Sequence, residues 1–277
     1  MNKDSITARL RNRARELDIN YNLALTQFFF DEFLRLLSQS KYKDNFMLKG
    51  GMLLTYALGV QNRATQDIDF LVKGINLDSD NIKSILLSII SDSKQSDICF
   101  EIEGEGIEIR SDDEYGGLRF KIIGHLSNIR IPFAVDIATG DPVYPSPVEE
   151  RYQTILSDRF NLKFYPIESV LSEKLHTILS RAENNSRSKD YYDIYTILNK
   201  QLEHVDYEAL KIAVSLTFRY RQTMISKESA IEIINLIKIN EAIRDRWNRY
   251  QKKNPYAKGI NFDMIIETIN KLIEEVM

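Results

Sequence analysis

Cysteine is almost missing from this chain: its 277 residues include one, Cys99, so no internal disulfide can form and the thiol reads as structural. Histidine is nearly as scarce, and His125, His176 and His204 are too scattered to suggest a zinc cluster. No run approaches the roughly 20 apolar residues that span a bilayer, which argues against a helical membrane protein. The opening stretch, Met1 to Leu17, carries Arg9, Arg11, Arg13 and Arg15 and lacks the apolar core of a secretory signal, so a cytoplasmic protein is expected. A dominant charge sign is missing too: 37 basic against 40 acidic residues leave a net charge of −3, with no whole-chain bias toward nucleic acid. Internal repeats and low-complexity tracts are likewise lacking. What is present is an ordinary globular mixture, 43% hydrophobic and 28% charged, long enough for one large or two modest domains.

The apolar residues Leu23, Leu25, Phe28, Phe29, Phe33, Leu36 and Leu37 recur at helical spacing over Asn22 to Leu37, and Phe46-Met47-Leu48 reads as a short buried strand. Gly50 and Gly51 break that strand before a helix from Met52 to Leu58, closed by Gly59 as a C-cap; a second strand then covers Arg63 to Val72. A helix over Asn81 to Ser91 follows. The alternation of Ile98 to Ile109 around Gly104 and Gly106 suggests a hairpin, with further strands at Leu118 to Ile123 and Ile129 to Ile137. The polar, proline-bearing segment Thr139 to Pro147 marks a lobe boundary. Beyond it helices are expected over Ile167 to Arg181, Lys189 to Asn199, Tyr207 to Phe218, Ser226 to Gln251 and Phe262 to Val276. The fold expected is α+β: a mixed-sheet lobe with N-terminal helices over residues 1–147, then a mainly helical lobe over 148–277.

The most informative stretch is Lys49-Gly50-Gly51 followed by Arg63-Ala64-Thr65-Gln66-Asp67-Ile68-Asp69-Phe70. Side chains alternate along a strand, so Asp67 and Asp69 share one face while Ile68 and Phe70 point to the other. Aspartate is disfavoured in strands, and two of them inside an apolar run suggest a site. Paired carboxylates form a hard oxygen site suited to Mg²⁺, which in turn suits triphosphates. Asp136 ends another apolar strand and joins the pair if the two strands are neighbours; alternatively it only starts a turn with Thr139-Gly140-Asp141. Gly50 and Gly51 either let a phosphate approach the start of the next helix or simply make a tight turn. Lys49 and Arg63 suit phosphate oxygens and surface carboxylates equally.

On the expected helices, Lys174 shares a face with Ile178 and Arg181, and a lysine there wants an anionic partner. Asp190 or Asp193 fits that need as a structural salt bridge; the other reading has Lys174 on a triphosphate and Asp190 on the acceptor. Residues 244–258 carry Arg244, Arg246, Arg249, Lys252, Lys253 and Lys258, interleaved with Trp247, Tyr250 and Tyr256. That mixture suits RNA, and equally an amphipathic helix with its aromatics inward.

Taken together, Lys49-Gly50-Gly51, Arg63-x-Thr65-x-Asp67-Ile68-Asp69, Val135-Asp136-Ile137, Glu173-Lys174-Leu175 with Arg181, and Lys189-Asp190-Tyr191-Tyr192-Asp193 resemble the nucleotidyltransferase toxins of the AbiEii/AbiGii group. The resemblance runs from about Phe46 to Leu198. It implies a DNA polymerase β-like nucleotidyltransferase core, a helical domain, a place in an abortive-infection or toxin–antitoxin system and, for some members, transfer of nucleotides to the acceptor end of tRNA. By the same resemblance Asp67 and Asp69 bind catalytic Mg²⁺, with Asp136 as a third carboxylate. Gly50 and Gly51, with Lys49, Arg63, Thr65 and Arg181, serve the nucleotide. Lys174 contacts it and Asp190 completes the site. Outside the resemblance, Asp193 and the basic residues Arg244, Arg246 and Arg249 are candidates to bind the acceptor. The chain departs from the family pattern twice: Gly50-Gly51 stands where Gly-Ser is general, and Lys189 where arginine is usual. The implied partners are an NTP, a tRNA or other RNA acceptor and a cognate antitoxin, with no membrane. The competing classes are a metal-dependent nuclease and a non-catalytic nucleotide- or protein-binding module.

Overall fold

The computed structural model describes residues 3–91, 97–109, 116–201 and 205–277. They form two compact units: residues 1–140 with 148–165, and residues 141–147 with 166–277. In place of one boundary at residue 147 the chain crosses three times, after residues 140, 147 and 165, because it returns to the first unit to add two strands.

In the first unit, helices α1 (Lys3–Glu16) and α2 (Tyr21–Gln39) lead into β1 (Phe46–Lys49), α3 (Gly50–Leu58), β2 (Asp67–Val72) and α4 (Ser79–Ile90). Then come β3 (Ile98–Ile109), β4 (Gly117–Leu126), β5 (Ile129–Ala138), β6 (Val148–Gln153) and β7 (Arg159–Phe164). The seven strands make one mixed sheet in the order β3-β4-β5-β2-β1-β7-β6, with β2–β5 and β1–β7 parallel. Asn20 starts α2 by accepting the Leu23 N–H at 2.7 Å. The buried stripe of α2 is aromatic: Phe29 and Phe33 meet Phe100 edge to face, and Phe30 and Phe33 meet Phe133.

Three expectations change here. Ile98 to Ile109 is one strand, not a hairpin: a register shift between Glu103 and Ile107 absorbs the glycines as a bulge, and β3 pairs with β4 instead. The acidic strand begins at Asp67, not Arg63. The strands β6 and β7 escape the hydrophobic pattern because β6 is an edge in which Tyr152 alone is buried.

One carboxylate lies inside this unit. Asp31 on α2 accepts hydrogen bonds from the Tyr152 hydroxyl, the Ile155 N–H at 2.6 Å and the Gln27 amide at 2.8 Å, tying α2 to the β6 strand and the turn after it. Burial pushes its carboxyl up to about 7, against those three bonds, which favour the charged form. The folded state thus holds a proton between pH 4 and 7 that the unfolded chain has released. Stability falls as pH rises through this window, by about 4 kcal/mol in all, and the loss is complete above pH 7. Asp31→Asn should flatten the pH dependence of unfolding between pH 5 and 8 relative to wild type, as measured by urea titration; parallel curves would show that Asp31 does not titrate there.

The second unit holds α5 (Ile167–Arg181), α6 (Ser188–Thr196) with a wide final turn at Ile197–Gln201, α7 (Tyr207–Tyr220), α8 (Lys227–Ile239), α9 (Glu241–Lys253) and α10 (Phe262–Val276). On α10 the buried residues Phe262, Ile265, Ile266, Ile269, Leu272, Ile273 and Val276 recur every three or four positions. Each contributes about 1.5–3 kcal/mol before chain entropy is counted. The single helix expected over Ser226 to Gln251 is two. Asn240, extended at φ −73° and ψ 111°, donates its N–H to the Ile237 carbonyl and closes α8, while its side chain accepts from the Ile243 N–H and opens α9. No described helix is long and apolar enough to cross a membrane.

Candidate active site

Strand β2 buries Ile68 and Phe70 completely on one face and leaves Asp67 and Asp69 half-buried on the other. Register then builds a row across four strands. Asp69 is paired with Lys49 of β1 on one side and with Asp136 of β5 on the other, and Asp136 is paired with Arg119 of β4. The Arg119 fork binds Asp136 through Nε and Nη2, both at 2.7 Å, and the same Nη2 lies 3.8 Å from Asp67 Oδ2. That hydrogen bond to Asp136, together with the charges of Asp67 and Asp69, strengthens the hold of the guanidinium on its proton.

The glycine turn faces the same carboxylates. Gly50 sits at φ +60°, and a Cβ there would lie 2.1 Å from Asp69 Oδ2; one on Gly51 would lie 2.4 Å from Thr65 Oγ1. Only bare backbone lets α3 begin here. The Gly51 N–H donates to Asp69 Oδ2 at 3.1 Å, so a carboxylate oxygen occupies the positive end of α3. Thr65 donates to Asp67 Oδ1 at 2.8 Å and fixes its direction. Lys49 and Arg63 are 3% and 5% exposed: the Lys49 ammonium lies 4.7 Å from the Tyr165 ring centre and Arg63 donates to the Ala64 carbonyl. Both cations are thus held inside the unit.

In the helical unit Lys174 donates to Asp190 Oδ1 at 2.8 Å and to Asp193 Oδ2 at 2.7 Å, and the two acceptor side chains are 1% and 0% exposed. Arg187 Nε reaches the second Asp190 oxygen at 2.7 Å. Burial alone would raise the Asp190 carboxyl, yet Lys174 and Arg187 outweigh it and hold the group below its usual value. Arg181 and Lys189 are exposed. The aromatics of α9 and of the turn after it face inward: Trp247 donates to the Ile260 carbonyl, and Tyr250 and Tyr256 pack on Tyr192. Arg244 is held by Asp263 and the Lys238 carbonyl, and Arg246 by the Glu183 and Asn185 carbonyls, while Arg249 is exposed. His125 and His176 lie in different units, and His204 falls outside the described residues.

A family model described as nucleotidyl transferase AbiEii toxin, type IV toxin–antitoxin system, matches residues 32–268. The chain belongs to the AbiEii toxin family. It is accordingly a nucleotidyltransferase, and a type IV toxin–antitoxin system implies an antitoxin partner and an NTP substrate. Two solved structures share the fold. JHP933 from Helicobacter pylori superposes with a TM-score of 0.51 at 15% identity, covering 89% of each chain. An H. pylori protein provisionally assigned as a nucleotidyltransferase gives a TM-score of 0.50 at 13% identity, covering 93% of this chain and 96% of its own. No functionally curated protein matches the chain.

The donor chemistry of the AbiEii chain fits a hard divalent cation: Asp67, Asp69 and Asp136 offer only oxygens, on one sheet face and in adjacent register, and a cationic guanidinium already stands against two of them. As the side chains lie, no three acidic, histidine or cysteine groups among the described residues are close enough to hold an ion, because Asp69 is turned to Gly51 and Asp136 to Arg119. Two residues of these clusters, one in each unit, lie outside the motifs. Arg119 is one polar position in an alternating strand, and its role depends on β4 lying beside β5. Arg187 precedes α6 and reaches Asp190 by i,i+3 spacing, a signal the sequence does contain.

Proposed function

We propose that this toxin moves a nucleoside monophosphate from an NTP to an acceptor hydroxyl in a reaction that requires Mg²⁺. The observation that supports it best is the register of Asp69 beside Asp136, with Asp67 on the same face and the glycine turn packed against the Asp69 carboxylate. Asp67 and Asp69 would hold the cation, with Asp136 as third ligand. When bound, such a cation neutralises the phosphates and lowers the pKa of an attacking hydroxyl. The acceptor oxygen bonds the α-phosphorus, the bond to the β-phosphate bridge breaks, and pyrophosphate leaves; the acceptor proton passes to Asp136 or water. Arg119 serves as the counter-cation to the carboxylate row before substrate arrives, bonded to Asp136 and 3.8 Å from Asp67. The backbone of Gly50 and Gly51 serves the phosphates, supported by Lys49, Arg63 and Thr65, with Arg181 as a further nucleotide contact.

In the helical unit we assign Lys174 to the nucleotide. Asp190 and Asp193 are too buried to meet an acceptor, so they act by positioning Lys174 and Arg187. The acceptor is taken to be RNA, a tRNA end included, with Arg244, Arg246 and Arg249 as its contacts and the cytoplasm as the place of action. Incubating the protein with each α-labelled NTP, total cell RNA and Mg²⁺ should label RNA with at least one nucleotide, and EDTA should abolish the labelling. Labelling that survives EDTA would remove the metal from the account.

A further inference from the structure

We propose that a second, separate site binds a phosphate-bearing ligand in the cavity formed by α1, the second half of α3 and the β6–β7 hairpin. The cavity lies within the sheet unit, encloses about 600 Å³ and is in the size range of nucleotide-sized ligands. It is lined from Thr55 to Gln61, whereas the carboxylate row meets the other end of α3 at Gly50 and Gly51. Three of its lining residues are arginines, Arg13, Arg151 and Arg159, and none is acidic, in a chain whose net charge is −3.

Two of the three arginines have no ion-pair partner among the described residues, and Arg13 has one. Among the described residues the Arg151 guanidinium has no hydrogen-bond or salt-bridge partner, and Arg159 has only the neutral Gln153 amide oxygen, at 3.2 and 2.8 Å. Arg13 gives Nη1 to Glu16 at 2.9 Å, while its Nε is buried without an acceptor. The walls are rigid. Tyr56 stacks on Tyr152 with ring centres 5.0 Å apart and donates to the Arg151 carbonyl, and Tyr152, Gln27 and Ile155 are all anchored by Asp31. Three arginines among the residues lining a preformed concavity, only one of them in an ion pair, match a phosphate, which brings at least three acceptor oxygens and up to two negative charges. The phosphate can belong to a free nucleotide or to a nucleic-acid end.

The test is calorimetric titration of the full chain, in EDTA and at physiological salt, with inorganic pyrophosphate, ATP and a short 5′-phosphorylated RNA. Wild type should bind at least one probe saturably. Arg151→Ala with Arg159→Ala should weaken that binding roughly tenfold or more with an unchanged melting temperature, and Asp69→Asn should not weaken it. Binding of pyrophosphate or ATP identifies a free-nucleotide site, and binding of the RNA alone identifies a strand end; loss of either in the double variant upholds the assignment. Equal affinity in the double variant, or no saturable binding of any probe, would overturn it.

Discussion

Replacing Asp69 by Asn should lower nucleotide transfer by about a thousandfold or more while leaving the fold in place. The two effects separate because Asp69 does two jobs. Its Oδ2 accepts the Gly51 N–H at 3.1 Å, and an asparagine Oδ1 can accept the same bond, so the start of α3 survives. What asparagine cannot supply is the negative charge in the register between Lys49 and Asp136. Asp69→Ala is the poorer variant, because it also removes the helix cap and costs about 1 kcal/mol. The rate should be followed as incorporation of α-labelled nucleotide and the fold by thermal melting. Retained incorporation by a folded Asp69→Asn protein would show that this carboxylate is not part of the chemistry.

Replacing Lys174 by Ala should destabilise the helical unit by about 3–5 kcal/mol. The lysine ammonium is the shared partner of two carboxylates that are 1% and 0% exposed, and its removal leaves Asp193 with neither water nor that cation. Asp190 keeps Arg187. Because Lys174 and Arg187 hold the Asp190 carboxyl below its ordinary value, their stabilisation is present above the unfolded pKa of about 4 and fades as pH falls through the folded value. The wild type should therefore lose its advantage over Lys174→Ala as pH drops below about 4. Urea unfolding monitored at Trp247, which lies in the same unit, reads both effects. A stability change below about 1 kcal/mol would place this trio with ordinary surface ion pairs. The functional assignment has its own readout: Lys174→Arg, which keeps the charge, should retain most of the stability and raise KM for the NTP, whereas a purely structural lysine would leave KM unchanged.

The sequence showed those parts of the molecule that depend on local periodicity. The ends of Ile167–Arg181 and Phe262–Val276 follow directly from their apolar spacing, and the shared face of Asp67 and Asp69 follows from strand alternation. What it hid depends on neighbours distant in the chain. That Asp136 lies beside Asp69 requires β5 to pair with β2 in parallel, and that Arg119 joins them requires β4 on the far side of β5; residue types alone leave both open. The polar edge strand β6 has too little buried surface to produce a pattern, so the sheet looked complete before it was. At Asn240 the apolar stripe runs on through a cap, and periodicity alone cannot see two helices with nearly continuous faces. The Lys174 cluster was legible as a pairing, but its degree of burial was not.

Transfer of a nucleoside monophosphate, as opposed to a terminal phosphate, is decided by a double-label experiment. One NTP carries distinguishable labels at the α- and γ-phosphates and is incubated with the protein, Mg²⁺ and cell RNA. The α-label should appear in the acceptor and the γ-label in released pyrophosphate, in equal amounts, with both lost in Asp69→Asn. Transfer of γ-label to the acceptor, or RNA cleavage without any incorporation, would contradict nucleoside monophosphate transfer.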